Sequence, residues 1–224
     1  MPLPDKTYFG DRVVGQFGIT YGEVRTITDQ QDQLKLLKLR FDPLLIGQIN
    51  ELTLFNDLGH RRVYSPFPLT ILTLLSIETI GRVICNWRKI KKENEFDHLK
   101  SIVTPVYQLM DKKLSYKPTK KFYKAFEALH GFEDKKSICR YSDVIHKYQR
   151  NTFNHGYQSK GVYLTEQIDQ AILIEESHGC LYINPYFFWD LFKTTYTKIF
   201  DEILNDTNHE WRENALDYFQ GLLM

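Results

Sequence analysis

Between Pro66 and Lys91 the chain sets Leu69, Leu72, Ile77, Ile80, Ile84 and Trp87 at helical spacing, with Ile71, Leu74 and Leu75 filling further positions. An apolar stripe this wide has to be covered on most sides, so the segment predicts a central helix with other helices packed around it. Ser65-Pro66-Phe67-Pro68 suits its start, because a proline in the first turn lacks only a donor that would go unused there. Arg88, Lys89, Lys91 and Lys92 suit its end, where cations face the negative pole of the helix. The most apolar run, Leu69 to Ile77, contains Thr70, Thr73 and Ser76 and is shorter than a bilayer span, so no membrane partner is expected.

The rest of the chain reads as further helices with one β element. Residues 1 to 27 carry Gly10, Gly15, Gly18 and Gly22 between aromatic and β-branched residues, which predicts a turn-rich arm and not a helix. Thr28 or Asp29 caps a short amphipathic helix that Pro43 is expected to break. Leu44 to Phe55 continue a helical stripe. Helices are predicted over Phe96 to Lys113, with Pro105 as a kink, over Thr119 to Leu129, and over Ser137 to Gly156. Ala171 to Glu175 and Cys180 to Ile183, separated by Ser177-His178-Gly179, predict a small hairpin. Asn184-Pro185 opens another helix, and a last amphipathic piece runs from His209 to Phe219. The fold class is therefore mainly α, a helical bundle with a small β-hairpin and an N-terminal extension over 1–60, the main domain spanning 61–224.

The chain has 224 residues, 42% hydrophobic and 25% charged, an ordinary balance for a globular protein. Its formal charge is only +1, so any phosphate-binding surface has to be a local patch. Cys85, Cys139 and Cys180 are scattered singly, which argues against a zinc site and fits a reducing, cytoplasmic setting. His98, His130, His178 and His209 show no metal-ligand spacing. The absence of a P-loop, of G-x-S-x-G and of G-x-G-x-x-G speaks against NTPase, serine hydrolase and dinucleotide readings. No cofactor is expected.

Residues 150 to 157 read Arg-Asn-Thr-Phe-Asn-His-Gly-Tyr. Asn151 and His155 are four apart and share one face of a helix. Arg150 lies about 140° from His155 at ~3.6 residues per turn, within reach of a long guanidinium. Gly156 then suits a helix stop. Such a cluster offers a fixed planar cation for phosphate oxygens, an amide, and an imidazole that titrates near neutral pH. Cleaving RNA through its own 2′-hydroxyl needs one general base and one general acid, and histidine serves both without a metal.

Arg150-Asn151-Thr152-Phe153-Asn154-His155 resembles the R-x4-6-H motif of the HEPN superfamily, in which a polar residue often follows the Arg and Gly the His. The similarity in element order extends over about residues 66 to 205. The resemblance implies a helical bundle, a homodimer with two motifs facing across the two-fold axis, and metal-independent endoribonuclease activity on RNA, often as a toxin or in phage defence. It implies catalytic roles for Arg150, Asn151 and His155. An antitoxin or regulatory protein is an implied partner.

Two further residues join the candidate site. Glu78 sits in an apolar row of the central helix, where a carboxylate calls for pairing, and in HEPN-like proteins a polar residue of an earlier helix often joins the Arg/His cluster. The competing reading is a surface pair with Arg82, worth ~0.3–0.5 kcal/mol. Tyr157 is a candidate for stacking on a base. Lys112-Lys113, Lys117, Lys120-Lys121 and Lys135-Lys136 read either as a solvated face or as contacts to a phosphate backbone. The alternative to an enzyme is a non-catalytic HEPN-like module that binds RNA, a nucleotide or a protein, with the motif serving dimer packing.

Overall fold

A computed structural model describes residues 19–51, 53, 66–86, 88, 90, 95–130, 138–150 and 161–224, without the side chains of Gln149 and Arg150. The fold is mainly α with a small three-stranded sheet. It divides into two units. One is assembled from the segments Met1–Arg62, Arg82–Lys89 and Tyr196–Met224, the other from Val63–Gly81 and Ile90–Thr195.

Among the described residues the first element of the first unit is helix α1 (Tyr21–Arg25), within the stretch where the sequence predicts an arm without helix. The reason is a reciprocal cap: the Thr20 N–H donates to Glu23 Oε2 at 2.7 Å, and the Glu23 N–H donates to Thr20 Oγ1 at 3.3 Å. Helix α2 (Gln30–Phe41) is capped by Asp29, which accepts the Asp32 N–H at 2.9 Å. Pro43 does not break the helical path. It falls in the first turn of a π-helical segment, Asp42–Gly47, that runs into α3 (Gln48–Glu51). Leu34, Leu37 and Phe41 of α2 are buried, and Phe41 packs edge-on against Phe200, ring centroids 6.3 Å apart. Polar ties close the unit: Tyr196 Oη donates to Asp42 Oδ1 at 2.6 Å, and Gln220 Nε2 to Gln33 Oε1 at 3.0 Å. Its last helix, α9 (His209–Leu223), starts at Asn208, whose side chain accepts the Trp211 N–H.

The second unit is built around α4 (Pro66–Ile84), of which residues 66–81 belong to it. Leu69, Leu74, Ile77 and Ile80 are buried, as the sequence pattern requires. Thr70, Thr73 and Ser76 sit in the same apolar environment because each hydroxyl donates to a carbonyl one turn earlier, Thr73 Oγ1 to Leu69 O at 2.8 Å among them. By length and composition α4 could cross a membrane, yet 67% of its most apolar window is buried by the chain itself, the packing of a core helix. Gly81 lets it approach α5 (Glu95–Met110) closely, since a Cβ there would lie 2.4 Å from Ile102 O. Helix α5 accommodates Pro105 in its interior as one continuous helix. A 3₁₀ turn (Lys112–Ser115) and α6 (Lys120–His130) follow.

The sheet has the order β1 (Val162–Leu164), β3 (Cys180–Ile183), β2 (Ile172–Glu175). Strands β2 and β3 form the expected antiparallel hairpin, with Glu175 opposite Cys180. Strand β1 is an addition to the sequence reading and runs parallel to β3, Val162 opposite Leu181. Gly179 (φ 62°) turns the hairpin against α6, where a Cβ would come within 2.2 Å of the Phe126 nitrogen. Asn184 caps α8 (Pro185–Leu204) by accepting the Tyr186 N–H at 3.1 Å. Trp189, Phe188 and Phe192 of α8 are fully buried.

Candidate functional site

The helix leading to the motif begins later than the pattern predicts, at Tyr141, and the predicted stretch from Asn151 to Gly156 lies outside the described residues. Its α-helical part, α7, covers Tyr141–Ile145, and His146–Arg150 continue it as a π-helical turn. Asp143 determines the start. One of its carboxylate oxygens accepts the N–H groups of both Cys139, at 2.7 Å, and Arg140, at 2.8 Å. Ile138 and Cys139 are thereby held outside the helix as its lead-in. Tyr141 Oη reaches Glu176 Oε1 at 3.1 Å, and the Tyr141 ring stands edge-on to Phe122 at 5.2 Å. The beginning of the helix is thus clamped from two sides.

Three helices then bring polar side chains together in the interior. Glu78 comes from α4, Tyr107 from α5, and Asp143 and His146 from the motif helix. All four are buried, none more than 4% exposed. His146 Nδ1 lies 3.8 Å from Glu78 Oε1, beyond hydrogen-bond length. The His146 ring meets Tyr107 edge-on at 5.3 Å. Burial holds the Tyr107 hydroxyl well above the usual phenol range, and the carboxylates of Glu78 and Asp143 push it the same way. The Asp143 carboxyl is also raised by burial, against the pull of its two N–H donors and of the Lys100 and Arg140 charges.

Glu78 therefore stands in a sealed cluster with His146, four residues before Arg150, and not at the surface. The sequence pattern alone does not single out Tyr107, Asp143 or His146. The signal that could have drawn them in is the same one that marked Glu78: polar groups in rows of apolar residues. The cluster is closed to solvent. Its chemistry is to fix the helix, since polar groups placed in an apolar interior reward one arrangement over others. Arg150 ends the π turn, a helix type found often at functional sites. The Arg150 side chain, Asn151, His155 and Tyr157 lie outside the described residues. Among the described residues no group of three or more His, Cys, Asp or Glu could hold a metal ion.

At the opposite end of the motif helix the surface is open and basic. Lys117, Lys120 and Lys124 line a groove of about 520 Å³ together with Tyr123, Glu127 and Cys139. Of the lysine runs seen in the sequence, Lys117 and Lys120 contribute to one concave surface.

In comparisons with known proteins no family, no curated protein and no solved structure matches this chain. The HEPN resemblance accordingly rests on the motif and its helical setting.

Proposed function

We propose that this chain is a metal-independent endoribonuclease of HEPN type acting in the cytoplasm. The observation that carries the reading is the order Arg150-Asn151 and His155-Gly156 directly after a helix anchored by His146 in the interior. In this reading Arg150 binds the scissile phosphate and offsets its growing charge. His155 takes the 2′-hydroxyl proton as the 2′-oxygen attacks phosphorus. The bond to the 5′-oxygen breaks and that oxygen receives a proton, leaving a 2′,3′-cyclic phosphate and a 5′-hydroxyl. Asn151 orients the phosphate or the imidazole, Tyr157 stacks on a base, and Glu78 acts through His146 on the position of the helix. A symmetric dimer would set two motifs in one cleft, and a toxin or defence role with a neutralising partner follows from the resemblance alone.

The test is RNA incubated with EDTA-treated protein. Cleavage with cyclic phosphate ends is expected, falling roughly 10²–10⁴-fold in His155→Ala, the span of general acid–base catalysis. Equal cleavage by His155→Ala rejects the enzyme. An Arg150→Ala variant that loses dimer content or thermal stability without any change in RNA processing reassigns the motif to packing.

A further inference from the structure

Among the described residues some lysines pair with acids and others, Lys112, Lys113 and Lys121 among them, do not; three of the unpaired ones share a groove. Lys35, Lys38, Lys100, Lys193 and Lys198 each pair with an acid three or four residues away. Lys117, Lys120 and Lys124 make no ion pair with any described residue, and all three line the same groove. The groove sets three ammonium groups against the one carboxylate of Glu127, and a bound anion relieves the remaining repulsion.

The groove has fixed walls. Phe122 and Phe126 are buried and hold α6, which places Lys120 and Lys124, one turn apart, on its other side. The Tyr123 hydroxyl donates to Ile138 O at 2.7 Å, which fixes its ring as an aromatic surface lining the same groove. The facing wall is Ile138 and Cys139, and the Cys139 N–H is bound by Asp143 of the motif helix. From Tyr141 that helix and its π turn run ten residues to Arg150, about 15 Å at ~1.5 Å per residue. Positive charges in a row beside an aromatic face are the two elements by which proteins hold single-stranded nucleic acid.

We propose that this groove is the docking track for the backbone of single-stranded RNA, with Lys117, Lys120 and Lys124 on its phosphates and Tyr123 against a base. The proposal rests on the ribonuclease reading for the identity of the ligand, and it adds where that ligand is held outside the motif.

Cys139 supplies a reporter inside the groove. It is exposed, whereas Cys180 is buried and the Cys85 thiol is pushed up to about 11 by burial and by Glu210. Alkylation of Cys139 by iodoacetamide is followed by peptide mass spectrometry on the full chain carrying His155→Ala, so that RNA survives. A single-stranded RNA oligonucleotide is expected to slow the reaction severalfold, and inorganic phosphate or poly-glutamate of matched charge to leave it unchanged. In Lys117→Ala/Lys120→Ala/Lys124→Ala the protection disappears. The slope of log affinity against log salt becomes shallower by about 2, at ~0.7 per neutralised phosphate. Undiminished protection in the triple variant, no RNA protection at all, or equal protection by poly-glutamate overturns the docking track. Cleavage by the otherwise wild-type chain separates the two claims. Lysine-dependent protection with no cleavage keeps the track and removes the ribonuclease, while cleavage with unchanged KM in the triple variant keeps the ribonuclease and removes the track.

Discussion

The motif helix and its lead-in border two regions that treat polar groups oppositely. In the interior, Glu78, Tyr107, Asp143 and His146 are excluded from water and lie close together. At the groove, Lys117, Lys120 and Lys124 stay in water without partners among the described residues. Buried charge is expensive to isolate, so the first set resists change and defines one position for the helix. Hydrated charge costs little to leave unpaired, so the second set adds almost nothing to folding and remains available to a ligand. Residues of similar polarity thus serve geometry in one place and recognition in the other.

Breaking the sealed side should have the largest effect. His146→Leu leaves the Glu78 carboxylate buried without its imidazole neighbour and should cost about 3 kcal/mol or more in urea denaturation. Adding Glu78→Leu should recover most of that loss; a double variant as unstable as the sum would show the two groups to be independent. Gly179→Ala should cost about 2 kcal/mol, from a left-handed backbone and a contact with the Phe126 nitrogen. Because it presses on α6, it should weaken RNA binding in the groove while leaving the Tyr107 environment unchanged by near-ultraviolet circular dichroism. Both effects confined to stability would separate α6 from the groove.

Tyr107→Phe acts in the other direction. The hydroxyl has no hydrogen-bond partner among the described residues, so removing it should stabilise the fold by about 1 kcal/mol. The same residue sets an alkaline limit. Tyr107 is raised well above the usual range and Tyr141 to about 12, so the folded state keeps protons that the unfolded state releases above pH ~10. Stability from these groups is fully present below that pH and is lost as pH rises through the folded values. Tyr107→Phe should make the loss shallower; an unchanged alkaline profile would assign it to other tyrosines. The smallest effect on stability per substitution belongs to the groove lysines, each within about 0.5 kcal/mol of the parent. A larger loss would mean that these lysines support the fold.

Most helices were legible because their apolar residues recur at the right period over many turns. The hairpin was legible for a related reason: two β-branched runs flank a turn. Strand β1 was not, since Val162–Leu164 is too short to show a period and pairs in parallel with a strand distant in sequence. Helix α1 was hidden among glycines although Thr20 and Glu23 spell out its cap. Pro43 misled because a proline stops a helix only where its N–H is required, and here it enters a new turn. At the site, Glu78 stood out as a carboxylate in an apolar row. Tyr107, Asp143 and His146 did not, because only the convergence of three helices selects them. The lysine runs were plain in the letters, while the choice of which share one groove is a tertiary fact.

The wide turn at His146–Arg150 has a consequence for insertions and deletions. Such a turn holds one residue more than an α-helical turn would, and one residue is worth a rotation of about 100° at ~3.6 per turn. Removing a single residue between Ile145 and Arg150 would let the coil tighten and swing the exit of the chain through that angle. Chain length at this point is therefore a steering setting, as consequential as the identity of any side chain it carries.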